Sequence, residues 1–138
     1  MNEMLNQFFS LRHDKPRTLQ LQIRQQLIDA ITNGLSILSD LLIEKDDVLL
    51  MPNKFWGNYK LIFETIKEAK IETYELFNKQ MGFNLVAFDE SLQKLAKTKK
   101  KIILILNFPN NPTGYTPNNN EVQGILEIIK KQAEKGTN

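Results

Sequence analysis

The sequence predicts an α/β fold in which a mostly parallel sheet is flanked by helices. Three observations carry that expectation. Segments with apolar residues at helical spacing alternate with short, continuously apolar runs. Runs of that kind suit strands buried on both faces of a parallel sheet. Helix-length connections between them favour right-handed crossovers.

The first element follows Lys15-Pro16, where Leu19, Ile23, Leu27 and Ala30 or Ile31 predict a helix from about Thr18 to Ile31, punctuated by Asn33-Gly34. A second apolar segment, Leu35 to Ile43, leads to the acidic turn Glu44-Lys45-Asp46-Asp47 and a buried strand, Val48 to Met51, closed by Pro52. Tyr59, Ile62, Phe63, Ile66 and Ala69 form the next helical stripe, and Ile71 to Leu76 the next strand. Asp89 is a candidate N-cap for a helix carrying Leu92, Leu95 and Ala96. Ile102 to Leu106 is the clearest strand, continuous enough to predict burial on both faces. Thr116-Pro117 then reads as the cap and first turn of a closing helix with Val122, Ile125, Leu126, Ile129 and Ala133 on one face. There are no internal repeats and no low-complexity linker.

Composition narrows the chemistry. A chain of 138 residues, 41% hydrophobic and 25% charged, has the length for one globular core rather than two domains. No stretch reaches the roughly 20 apolar residues needed to cross a bilayer, and Met1 to Arg17 lacks a signal-like apolar run, so a soluble chain without a secretory leader is expected. Zero cysteines exclude disulfides, thiolate metal sites and a cysteine nucleophile, and the lone His13 cannot build a histidine-rich metal cluster. His13-Asp14 has no strained serine turn to serve, so a hydrolase triad is not supported.

A net charge of +2 is too small for the footprint of nucleic-acid binding. The 15 lysines against 3 arginines, with 14 Asn and 14 Ile, fit AT-rich coding as well as any partner. Five lysines between Lys94 and Lys101 precede the strand Ile102 to Leu106. They read as charged gatekeepers beside an aggregation-prone run, the alternative being a phosphate-binding patch without interleaved aromatics. Ser91-Leu92-Gln93-Lys94 has the form of a Ser-x-x-Lys motif, but it lies ahead of the second loop described next and reads as a solvated helix position.

Ligands of parallel sheets sit at the carboxyl ends of strands. Two loops there carry chemistry, one after Met51 and one after Leu106. The second reads Asn107-Phe108-Pro109-Asn110-Asn111-Pro112-Thr113-Gly114-Tyr115. Pro112 forces Asn111 into an extended conformation, and the Asn-Pro bond can be cis at little cost. The loop is therefore either a rigid mount for a neutral amide or an ordinary turn before a helix.

Asn111-Pro112-Thr113-Gly114-Tyr115, directly after an apolar strand, resembles the NPTG loop of class I/II pyridoxal-phosphate-dependent aminotransferases. Asp47 to Pro52, followed by Phe55-Trp56-Gly57-Asn58-Tyr59, resembles that family's strand and cofactor-stacking loop. Ala69-Lys70-Ile71 with Tyr74 resembles its second strand, and Phe88 to Leu95 its next helix. The resemblance divides the chain into a helical lead-in, residues 1–31, and a partial large domain, residues 32–138.

The resemblance implies pyridoxal 5'-phosphate as cofactor. It implies that Asn111 hydrogen-bonds the phenolic oxygen of that cofactor, that Trp56 lies over its ring and that Tyr59 stands beside it. Without the resemblance, Trp56 reads as a core residue ahead of a cofactor contact, the other structural reading being a loop anchor. The family's phosphate cup is a glycine-containing turn at a helix N-terminus, and the candidate here is Thr32-Asn33-Gly34, which gives Asn33 and Gly34 as cofactor contacts. Family counterparts of the ring-nitrogen aspartate, the Schiff-base lysine and the arginine clamp would lie beyond Asn138, so no catalytic residue is assigned.

The expected function is thus a fragment or truncated form of an aminotransferase, a cytoplasmic enzyme that moves an amino group between an amino acid and a 2-oxo acid and is a homodimer in the family. Alone, the chain is expected to be inactive. Two alternatives differ in class: a non-catalytic binding or regulatory protein that retains part of the fold, and a fragment of a C–S lyase or decarboxylase with the same fold. Neither a metal, a nucleic acid nor a membrane is expected as partner.

Overall fold

The computed structural model describes residues 16–136, with side chains from Leu21 onward. His13 and Asp14 lie outside the described residues. The chain divides into two units, one ending at Leu42 and the other starting at Ile43.

The described part of the first unit is one helix, α1 (Pro16–Leu42), of 27 residues. It joins what the sequence predicts as a helix and a separate apolar segment, and it passes through Asn33-Gly34 without a break. Gly34 costs only about 1 kcal/mol inside a helix, too little by itself to end one of this length. Thr32 and Ser39 add local bonds to the carbonyls of Ile28 (2.8 Å) and Ser36 (2.7 Å). Among the described residues no helix is long and apolar enough to cross a membrane.

The second unit is built on a parallel three-stranded sheet in the order β2 (Lys70–Tyr74), β1 (Val48–Pro52), β3 (Ile103–Leu104). Central β1 is buried at all five positions, as its unbroken apolar sequence requires. Leu49 pairs with Ile71 on one side and Ile103 on the other. The acidic turn before β1 closes on itself, Glu44 N–H donating to Asp47 Oδ2 (2.9 Å) and Asp47 N–H to the Glu44 carbonyl (3.1 Å). Lys101, just before β3, donates to the same Asp47 oxygen at 2.6 Å, joining the amino ends of two adjacent strands.

β3 differs from expectation. Only Ile103 and Leu104 pair, and the run from Ile102 to Leu106 is half-buried throughout. Within the described residues β3 has a neighbour on one side only, so one edge of its apolar run is uncovered.

Between β1 and β2 the chain forms a π-helical stretch, Lys60–Ile66, that turns Tyr59, Ile62 and Phe63 inward and leaves Ile66 exposed. After β2, Asn78 organises a turn by accepting from Gln80 and Gly82 N–H groups, each at 2.9 Å. Helix α2 (Leu85–Ala96) follows, capped by Asn84, whose Oδ1 accepts from Ala87 N–H at 3.1 Å. Asp89 is therefore not the cap. It sits one turn inside the helix and reaches across to Lys131 (3.5 Å) and Gln132 (3.3 Å) of helix α3 (Asn119–Ala133).

The cap of α3 likewise falls two residues later than Thr116. Asn118 Oδ1 accepts from Asn120 and Glu121 N–H groups, and Glu121 returns a bond to Asn118 N–H at 2.8 Å, a complete capping box. Leu50, Tyr74, Leu76, Phe83, Phe88, Leu92 and Ile125 form the core that holds α2 and α3 on the sheet. Tyr74 packs against Phe83 (5.8 Å) and Phe88 (5.1 Å), and burial pushes its hydroxyl well above the ordinary tyrosine range.

Candidate functional site

The site is assembled at the carboxyl ends of β1 and β3. Because the strands are parallel and pair Leu50 with Leu104, both chains leave the sheet at the same end. The loop after β1 is pinned at its start by Asn53. Its N–H donates to the Tyr74 carbonyl (2.8 Å), its Nδ2 to Glu75 (2.8 Å), and its Oδ1 accepts from Leu76 N–H (3.2 Å). Trp56 and Gly57 then open a helical turn whose carbonyls accept from Tyr59 (3.0 Å) and Lys60 (3.1 Å). That turn brings the Trp56 ring, half-buried, edge-on to Tyr59 at 5.8 Å and 82°.

Tyr59 is buried, at 6% exposure, with its ring on Phe63 and its hydroxyl accepting from Asn107 Nδ2 at 3.2 Å. Burial pushes the hydroxyl's pKa up, and the Asn107 amide partly opposes that by favouring the phenolate.

In the loop after β3, Phe108 packs on Phe83 (6.1 Å) and Tyr115 (6.5 Å). The bonds Phe108–Pro109 and Asn111–Pro112 are both cis. Asn110 is 4% exposed and bonded through both ends of its amide. Its Nδ2 donates to the Lys54 carbonyl (2.9 Å), and its Oδ1 accepts from Thr113 Oγ1 (2.6 Å) and Thr113 N–H (3.3 Å). Its backbone pairs with Tyr115 and Gly114. Gly114 has φ 73°, a conformation that a side chain at that turn would strain. Asn111 is exposed at the tip.

Of the residues singled out in the sequence, Trp56 and Tyr59 touch each other, and Asn111 lies on the loop that Asn107 and Asn110 bond to theirs. Asn33 and Gly34 belong to the first unit, where they stand inside α1 rather than at a helix N-terminus, with backbone N–H groups in the helix interior. Lys94 is exposed on α2. No group of three or more His, Asp or Glu residues positioned for a metal occurs among the described residues.

Sequence reasoning passed over Asn107 and Asn110. A polar residue at the exit of an apolar strand, and an asparagine doubled beside a motif asparagine, were the available signals. Neither indicates which residue turns inward.

Two loops from adjacent parallel strands, bonded to each other at the carboxyl edge, define an α/β protein of the kind that holds small molecules at that rim. The chain belongs to the aminotransferase class I and II family, whose sequence model matches residues 2–134. It is 33% identical over 89 residues to a probable aspartate aminotransferase of Methanocaldococcus jannaschii, covering 64% of this chain and 22% of that protein. An aminotransferase from Anaerococcus prevotii superposes with a TM-score of 0.62 at 27% identity, over 66% of this chain and 22% of that one. An alanine aminotransferase from Pyrococcus furiosus shares the fold, with a TM-score of 0.59 at 21% identity over 75% of this chain and 25% of its own. The chain thus spans about a quarter or less of the relatives it matches.

Proposed function

We propose that this chain carries the ring-holding wall of a pyridoxal-phosphate-dependent aminotransferase and transfers amino groups only when completed by the rest of such an enzyme. The observation that supports this most is the bonding of the loop after β1 to the loop after β3, through Asn107–Tyr59 and Asn110–Lys54. It brings an indole, a phenol and an amide-bearing loop to one rim of the sheet.

The residues fit the ring end of the cofactor. Trp56 offers a flat, half-exposed apolar face, and the exposed Asn111 amide is a neutral donor suited to an anionic ring oxygen. Tyr59 backs the indole. The phosphate end is not matched by Asn33 and Gly34, which lie within a helix. When bound, the cofactor supplies the electron sink for amino-group transfer. The part of the chain's own residues is to orient the ring and to favour the charged state of its oxygen. An amino acid and a 2-oxo acid are the substrates of this reading.

The test is reaction of the full chain with pyridoxal phosphate, reduction with borohydride and peptide mapping. Scattered, substoichiometric lysine labelling and no transaminase activity are expected. One lysine labelled at unit stoichiometry refutes the proposal that the catalytic lysine lies outside this chain.

A further inference from the structure

We propose that Asn107 is a positioning residue that sets the orientation of the Trp56 indole through the Tyr59 hydroxyl. The relay is short and entirely within described residues. Asn107 Nδ2 donates to Tyr59 Oη at 3.2 Å, and the Tyr59 ring meets the Trp56 ring edge-on at 5.8 Å. Phe63, a buried residue, also packs on Tyr59 at 5.8 Å, so the phenol contacts both Trp56 and the interior, with its one polar atom held by Asn107.

A buried hydroxyl without its partner would turn toward another polar group or water, and the ring would follow. Trp56 is half-buried and is not part of the core cluster of the unit, so its orientation depends on Tyr59 more than a core tryptophan's would. The consequence is a mechanical link between strands: a residue at the exit of β3 sets a ring in the loop after β1, 48 positions from Tyr59 in sequence. As a statement about cofactor alignment, this rests on Trp56 being the surface that bears the ring. As a statement about Trp56 itself, it does not.

The chain has a single tryptophan, so its fluorescence reports Trp56 alone. The experiment measures acrylamide quenching and emission anisotropy of the full chain and of Asn107→Leu, Tyr59→Phe and the double variant, with far-UV circular dichroism as the control for folding. Asn107→Leu is expected to raise the quenching constant about twofold, Tyr59→Phe to do the same, and the double variant to add nothing further, because both changes cut one bond. Asn107→Asp should restore the native value, since the Tyr59 hydroxyl can donate to a carboxylate. It also supplies the reading should Asn107→Leu fail to fold.

Unchanged quenching in Asn107→Leu, or effects that sum in the double variant, overturns the relay. A parallel titration with pyridoxal phosphate separates the two claims. Quenching of Trp56 that weakens about threefold in Asn107→Leu supports positioning of the cofactor surface. Absence of quenching in the unaltered chain overturns the cofactor reading while the acrylamide series still decides the relay.

Discussion

Glu121 is the side chain on which the stability of the second unit most visibly turns. Its Oε1 accepts from Phe83 N–H at 2.7 Å and its Oε2 from Asn118 N–H at 2.8 Å, so one carboxylate closes the cap of α3 and ties it to the segment ahead of α2. Phe83 is 2% exposed, and its N–H has no water to turn to. Replacing Glu121 by Ala strands that donor, costing about 2–3 kcal/mol for a charge-assisted bond. Loss of the capping box adds about 1 kcal/mol. Glu121→Gln keeps one acceptor oxygen and presents an amide to the second N–H, for roughly half the total.

Urea unfolding followed by Trp56 emission and circular dichroism measures this directly. With a slope near 1.5 kcal/mol per molar, a 3 kcal/mol loss lowers the midpoint by about 2 M at constant slope. The Gln variant remains measurable if the Ala variant is unfolded. A midpoint for Glu121→Gln indistinguishable from the unaltered chain would refute the carboxylate's role as a two-donor acceptor.

Adjacent asparagines should separate cleanly. Asn110→Ala removes bonds to Lys54 and Thr113 from a buried site and should cost about 2–3 kcal/mol in the same assay, whereas exposed Asn111→Ala should stay within about 0.5 kcal/mol. A β-carbon at Gly124, inside α3, would stand 2.7 Å and 3.0 Å from the two methyls of Leu85, so the overlap should cancel the roughly 1 kcal/mol gained by replacing a helical glycine: Gly124→Ala alone should shift stability by less than about 1 kcal/mol, and the same change in a Leu85→Ala background should stabilise by about 1 kcal/mol. Acid should weaken the fold in a defined window. Burial raises the pKa of Glu121, but the N–H groups of Asn118 and Phe83 and the nearby Tyr115 hydroxyl outweigh it and hold the carboxyl below its ordinary 4.5. A folded value below the unfolded one means that the stabilisation is complete above about pH 4.5 and is lost as pH falls through the folded value. The urea midpoint should therefore drop on acidification below that point, and less steeply in Glu121→Gln.

Much of the second unit was legible because its signals are local. The unbroken apolar run of β1 and the stripe at Tyr59, Ile62 and Phe63 gave a central strand and a helix, and the structure has both. Caps were misplaced where several short polar residues compete. Asn84 and Asn118 won over Asp89 and Thr116 because each has free N–H groups two or three residues ahead, and that depends on where the turn before them ends. The Asn33-Gly34 pair has the composition of a stop, yet α1 runs through it, since a helical glycine costs only about 1 kcal/mol. The burial of β3 is less than its apolar run suggests because burial on two faces needs a layer packed on each, and the strand's position at the edge of the sheet is likewise something its own sequence cannot show. In the site, aromatic and motif residues stood out. The amides that join the loops did not, because an asparagine's partner 48 or 56 positions away leaves no local trace.

The division of labour between those amides follows from which partner each one reaches. Asn110 bonds Lys54 through its amide nitrogen and Thr113 through its oxygen, and its burial keeps it away from a ligand while it ties the loop after β3 to the loop after β1. Asn107 spends its donor on Tyr59 and fixes the loop after β1 instead. What these two hold in place is a neighbouring amide, Asn111, left exposed at the tip with Pro112 restricting its backbone. A side chain offered to a ligand is useful only if ordering it costs little at the moment of binding, and that cost is met during folding by residues that never meet the ligand. A motif reading therefore selects the exposed asparagine, while the stability of the loop should be governed by the buried one beside it.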